Sequence, residues 1–158
     1  MFIRLMAMAA LMMAGLTSHA QFGPGEDGAL GGGGVTDPDP DLVLSSVTMP
    51  PSIPSGAVLT FPLVINNTPG SYAAPSTVRV QLEVGPFNFV YIDVPVPAFH
   101  VSAAQHTVWV SYQLDPTITV PGFTVSTTFV TLDVNNVVAE TNEYNNLTVP
   151  SISGTVVF

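Results

Sequence analysis

Apolar and polar residues alternate with a period of two along most of the chain after Asp41, the spacing that sends successive side chains to opposite faces of a β-strand. In residues 57–67, Leu59, Phe61, Leu63 and Ile65 fall on one face, and Val58, Thr60, Pro62 and Val64 on the other. Pro62 has no N–H to give a ladder, so it is expected at a bulge or with its nitrogen turned away from a neighbouring strand. Residues 76–84 alternate more cleanly: Val78, Val80, Leu82 and Val84 oppose Thr77, Arg79, Gln81 and Glu83, which predicts one core face and one wet face. Further patterns cover residues 42–49, 89–96, 105–114, 123–134 and 147–158, separated by Pro-Pro, Ser-Gly, Pro-Gly and Asn-Asn punctuation. About seven short strands at this spacing, with no helical period after residues 1–20, predict an all-β fold. The natural arrangement is an antiparallel β-sandwich in which two sheets hide one face each.

The beginning of the chain follows a different pattern. Arg4 supplies a positive charge, residues 5–16 form an apolar run, and Ser18-His19-Ala20 makes a small-x-small cleavage pattern. Residues 1–20 are therefore expected to be a removed signal peptide, since the apolar run falls short of the roughly 20 residues a membrane helix needs. A secreted, periplasmic or cell-surface location follows, with no membrane span after cleavage. The chain has no cysteine, which excludes a lipoprotein anchor and a disulfide framework and leaves the fold to rest on its apolar core. Residues 21–39, with four consecutive glycines at 31–34 and the pairs Asp37-Pro38 and Asp39-Pro40 at their end, read as a flexible linker that stiffens toward the domain. Residues 40–158 then form a single domain.

Charge narrows the partners. There is no lysine, the arginines are Arg4 and Arg79, and losing the leader moves the net charge from −9 to roughly −10. Such a surface cannot neutralise a phosphate backbone or an anionic bilayer, so nucleic acid and anionic membrane are excluded as partners. What remains exposed is mostly Thr, Ser, Asn, Gln and aliphatic side chains, a surface that favours association, self-association included.

Side-chain chemistry concentrates in residues 132–146. Asp133, Asn135, Glu140 and Glu143 offer oxygens within one corner and read as a Ca²⁺ site, with Asp39 and Asp41 as extra ligands if the first strand begins near this corner, although the spacing is not that of an EF-hand loop. The alternative is a structural corner in which Glu140, Asn142, Glu143, Asn145 and Asn146 satisfy backbone amides as Asx-turns do, with no cofactor needed. His100 and His106 are too few for a zinc site and are expected on an exposed turn. Ser102 with His106 lacks a strained nucleophile elbow and an orienting acid, and without lysine or cysteine there is no Schiff-base or thiol chemistry. No catalytic residue emerges, and the chain is expected not to be an enzyme. Trp109, Tyr91, Tyr112, Tyr144 and Phe89 can be read as a platform for a sugar or a partner chain, but core packing is expected for most of them. Trp109 and Tyr112 have opposite parity, so one should lie inside and the other outside.

The run Glu140-x-Asn142-Glu143-x-Asn145-Asn146 resembles the signature of the CARDB family, the cell adhesion related domain found in bacteria. The resemblance extends over roughly residues 40–149: the opening Asp39-Pro40-Asp41-Leu42-Val43-Leu44, Pro50-Pro51, Gly56, the polar turn Asn66-Asn67-Thr68-Pro69-Gly70, and Val94-Pro95-Val96-Pro97-Ala98-Phe99. Departures from the family's pattern fall at Ser71-Tyr72-Ala73-Ala74-Pro75 and at residues 100–105. The resemblance implies an immunoglobulin-like sandwich of secreted and cell-surface proteins, and hence a noncatalytic module for protein or glycan contact and adhesion. Two other roles stay open. One is a self-assembling extracellular subunit whose last residues, 155–158, complete the sheet edge of a neighbour; the other, from the family's habit of occurring beside catalytic domains, is an accessory to a secreted enzyme.

Overall fold

The computed structural model describes residues 37–117 and 122–157; the expected leader and nearly all of the expected linker lie outside the described residues. Each alternating pattern becomes a strand: β1 (Val43–Val47), β2 (Ser52–Pro54), β3 (Val58–Asn66), β4 (Ser76–Val84), β5 (Phe89–Val96), β6 (Gln105–Gln113), β7 (Thr124–Thr131), β8 (Leu147–Thr148) and β9 (Ile152–Val157). One sheet has the order β1-β3-β6 and the other β2-β9-β7-β4-β5, with β8 also on β7. Between them lie the apolar faces read from the sequence. Leu59, Phe61, Leu63 and Ile65 of β3 face Val78, Val80 and Leu82 of β4, all at 1% exposure or less, and Val110, Leu114, Val130 and Phe99 complete the core. The all-β sandwich is thus the observed fold.

Among the described residues the strand count rises to nine, because β2 forms directly after Pro50-Pro51 and the last pattern divides into β8 and β9. Nor is every pair antiparallel, since β2 runs parallel to β9 with Ser52, Ile53 and Pro54 opposite Thr155, Val156 and Val157. That pairing changes the reading of the last strand. β9 lies between β2 and β7, with Thr155 also opposite Thr124, so residues 155–157 have no free edge with which to complete a neighbour's sheet.

Pro62 sits where the β1 ladder has run out at the Val47–Leu63 pair, one step beyond it. Its carbonyl accepts from Thr48 N–H on that side. Because the nitrogen and carbonyl of a strand residue point the same way, the missing N–H faces the end of β1 and breaks no ladder bond.

The expectation that most aromatics are core is overturned. Tyr112 packs against the core, while Trp109, on the opposite face of β6, is 60% exposed. Phe89, Tyr91 and Tyr144 are also exposed. The reason is parity: Phe89 and Tyr91 occupy the outward positions of β5, where Val90, Ile92 and Val94 take the inward ones. Among the described residues the buried aromatic rings are Phe61 and Phe99.

Candidate functional site

The corner after β7 begins with a turn that requires Asp133 at φ 40° and Asn136 at φ 51°, the left-handed region that Asp and Asn tolerate better than other side chains. Asp133 is buried, and its Oδ2 accepts from the Val138 N–H at 2.8 Å. Asn142 Oδ1 accepts from Tyr144 N–H at 3.1 Å, an Asx-turn. Glu143 reaches back to accept from Glu140 N–H at 2.9 Å through Oε1 and from Asn146 Nδ2 at 3.2 Å through Oε2.

Other bonds of the corner go to the beginning of the domain. Glu140 Oε2 accepts from the N–H of Leu42, 98 positions earlier in the chain. Asn145 Nδ2 donates to Asp41 Oδ1 at 2.9 Å, and Thr141 N–H donates to Pro40 O at 2.9 Å. From the other side Asn67, itself buried, accepts from Asp41 N–H through Oδ1 at 3.1 Å and donates through Nδ2 to Ser71 O at 3.2 Å. Residues 40–42 are therefore held from both sides as they lead into β1. The first strand does begin near this corner, and Asp41, expected there as a cation ligand, serves as a hydrogen-bond partner of Asn145; Asn67 was not singled out from the sequence, and the polar turn ending in Pro69-Gly70 was the available signal for it.

The four oxygen-bearing residues read as a cation site do not share one disposition. Asp133 and Glu140 turn inward, whereas Asn135 is exposed with its Nδ2 3.3 Å from Thr77 Oγ1, and Glu143 is exposed and occupied with the amides of Glu140 and Asn146. Among the described residues no three acidic or histidine side chains are gathered closely enough to hold a metal ion on their own. The corner is nevertheless rich in acceptors. Asp133 Oδ1, Glu140 Oε1, Asn145 Oδ1 and Asn146 Oδ1 are all sealed from solvent with no protein donor.

Burial pushes the Glu140 carboxyl above its ordinary value of 4.5; the Leu42 amide opposes the rise, as does the Asn146 side chain, which does not reach hydrogen-bonding geometry with Oε1, and the charges of Glu143 and Asp133 add to it. The folded chain therefore binds this proton more tightly than the unfolded chain does. In the window just above pH 4.5 the group's contribution to stability falls as pH rises. Asp93, paired with Arg79, and Asp115, capping Thr117, are shifted down instead, so their exposed and small contributions hold above pH 3.8 and fade below it. Stability measured in chelator should therefore be highest at mildly acid pH, and Glu140→Gln should flatten the decline toward neutrality. An unchanged slope in urea titrations of the variant would refute the assignment to Glu140.

His106 corrects another expectation: it lies in β6, half-buried, with its ring 4.5 Å from that of Phe99 and Nε2 3.0 Å from Ala98 O. A carbonyl partner requires Nε2 to carry the proton, so that nitrogen is no base for Ser102. His100 is exposed, as expected.

A second surface lies on the outward face of the larger sheet. Register places Phe89, Glu83, Ser126 and Ser153 in one row across β5, β4, β7 and β9, and Tyr91, Gln81 and Phe129 in the next. A groove of about 500 Å³ runs over this floor between Phe89 and Phe129.

No family model matches the chain, and no curated protein matches it. Solved structures do. A CARDB domain of the protein PF1109 from Pyrococcus furiosus, crystallised in complex with di-metal ions, is 17% identical over 75% of this chain and 94% of its own, with a TM-score of 0.47. A domain from Methanosarcina acetivorans, whose parent is named for the cell surface, is 21% identical over 75% of this chain and 93% of its own, with a TM-score of 0.40. A β-glucosidase from Listeria innocua solved with glucose is 16% identical over 75% of this chain but only 16% of its own length, with a TM-score of 0.43. CARDB domains, the family the sequence resembles, are thus among the solved structures to which this chain is similar.

Proposed function

We propose that the chain is a noncatalytic, surface-associated β-sandwich module that works by contact with a protein or glycan partner. The observation that carries this reading is the display of large aromatic side chains at outward strand positions, Phe89, Tyr91, Trp109 and Phe129, on a surface without lysine. Aromatic side chains withheld from a core that is complete without them are contact groups. The leader pattern of residues 1–20 supports delivery outside the cytoplasm. Protease treatment of intact cells tests the location: the native protein should be cut or shaved from the outside, and full protection until the cells are lysed would contradict it.

A Ca²⁺ ion in the corner is a second reading, favoured by the four acceptor oxygens sealed without donors. Two carboxylates and two carboxamides suit a hard cation in kind. Asp133 and Glu140 would be its charged ligands, with Asn145 and Asn146 in the places expected of Asn135 and Glu143. Binding to the native state alone raises stability. Melting in millimolar calcium should then exceed melting in chelator, and Asp133→Asn should remove the difference. Superimposed curves for the wild-type chain would reject the ion.

A further inference from the structure

We propose that the groove on the outward face of β4, β5, β7 and β9 binds a neutral polysaccharide chain, which rests on the reading of the module as a contact protein and gives it a site and a ligand class. The groove has aromatic walls and a polar floor. Phe89 and Phe129 are 42% and 40% exposed, and they stand one row apart on strands separated by β4, about 12 Å from each other at ordinary strand spacing and rise. Between them Gln81 and Glu83 of β4 continue into Ser126 of β7 and Ser153 of β9.

This combination matches the two sides of a sugar ring. The C–H face of a pyranose lies against the negative face of an aromatic ring, and its hydroxyls at the ring edge donate to carboxylate and amide oxygens and accept from amide and hydroxyl groups. A protein partner fits less well. The site is on a sheet face, where a peptide cannot add as a strand, and the carboxylate, amide and hydroxyl groups of Glu83, Gln81, Ser126 and Ser153 interrupt an apolar lining to which Val149 and Ile152 also contribute.

Charge chooses among glycans. The nearby cation, Arg79, is held by Asp93 through two bonds of 2.7 and 2.8 Å, so its charge is already matched. Glu83 brings an acid into the floor, and one of its oxygens accepts weakly from Phe87 N–H at 3.3 Å. An acidic polysaccharide would be repelled, whereas neutral hydroxyls find acceptors. Phe87 adds to the picture: it holds a φ of 59°, uncomfortable for a bulky side chain, at the β4–β5 turn, and its ring is 90% exposed. Its ring gains nothing from the core in return for that backbone, and it lines, with Glu83, Gly85 and Phe123, a separate hollow that shares Glu83 with the groove.

The test is affinity electrophoresis and calorimetry of the full chain with laminarin, hydroxyethyl cellulose and glycol chitin as neutral probes, and alginate as the acidic one. At least one neutral polymer should bind and alginate should not. Phe89→Ala and Phe129→Ala, exposed and outside the core, should each weaken binding at least tenfold with an unchanged melting temperature. Tyr72→Ala, which removes an exposed ring that does not line the groove, should bind as wild type. Equal losses in all three variants would reduce the effect to general stickiness and overturn the site. No binding to any neutral polymer, or retention of wild-type affinity in the Phe89→Ala, Phe129→Ala double variant, would also overturn it. A chain that still attaches to cells in that case would leave the contact reading standing with a protein as its partner.

Discussion

Replacing Glu140 with alanine is expected to lower the free energy of unfolding by roughly 1 to 3 kcal/mol, the range for a buried polar group left without its partner. The residue bearing that cost is Leu42. Its amide is tied to Glu140 Oε2 across 98 positions, and its side chain, 1% exposed, is part of the core, so water cannot replace the lost acceptor without opening the beginning of β1. Neighbouring bonds from Asn145 to Asp41 and from Thr141 to Pro40 lean on the same segment and should loosen with it. Glu140→Gln keeps an oxygen in place and should retain most of the stability. Urea denaturation provides the check: a lower midpoint with an unchanged slope for the alanine variant is the expected result, and an unchanged midpoint would mean that the corner does not hold β1.

The larger loss is expected from Gly154→Val. A Cβ at position 154 would stand 2.4 Å from Pro50 O and 2.8 Å from Ile53 Cδ1, both closer than atoms approach without bonding. Overpacking costs about 1 to 3 kcal/mol where side chains can yield, and more where they cannot. Here the closer obstacle is a main-chain carbonyl, so β2 would be forced away from β9 and Ile53, 2% exposed, would leave the core. A loss of about 3 kcal/mol or more is therefore expected, read from the same denaturation curves. A valine variant as stable as the wild-type chain would refute the close approach of these two strands.

Alternation made the long strands legible. Leu59, Phe61, Leu63 and Ile65, and Val78, Val80 and Leu82, each belong to a strand whose periodicity is enough to assign its inner face. β2 was hidden because Ser52, Ile53 and Pro54 are too short a run to alternate and stand among prolines; their strand conformation comes from pairing with residues a hundred positions later. Parallel pairing of that kind leaves no local trace. The aromatics misled for a related reason: size suggests burial, but in a strand, parity decides, and Phe89, Tyr91 and Trp109 all sit at outward positions. In the corner, the density of Asp, Glu and Asn marked residues 133–146 as special, and the Asx-turn at Asn142 is a local event that the sequence can reveal. What Glu140 and Asn145 hold could not be read there, because Asp41 and Leu42 are brought to them only by the closure of the domain. The groove over β4 is likewise a product of register, since Glu83, Ser126 and Ser153 meet only when three strands align.

The central claim is that this sandwich acts by contact and leaves its partner chemically unchanged. Labelled full chain added to intact cells at increasing concentration, followed by elution and analysis of the envelope material it retained, measures both halves of that claim together. Binding should saturate, compete with unlabelled chain, and return envelope polymers of unaltered length. Binding that never saturates, or envelope polymers shortened in proportion to time with the chain, would contradict it.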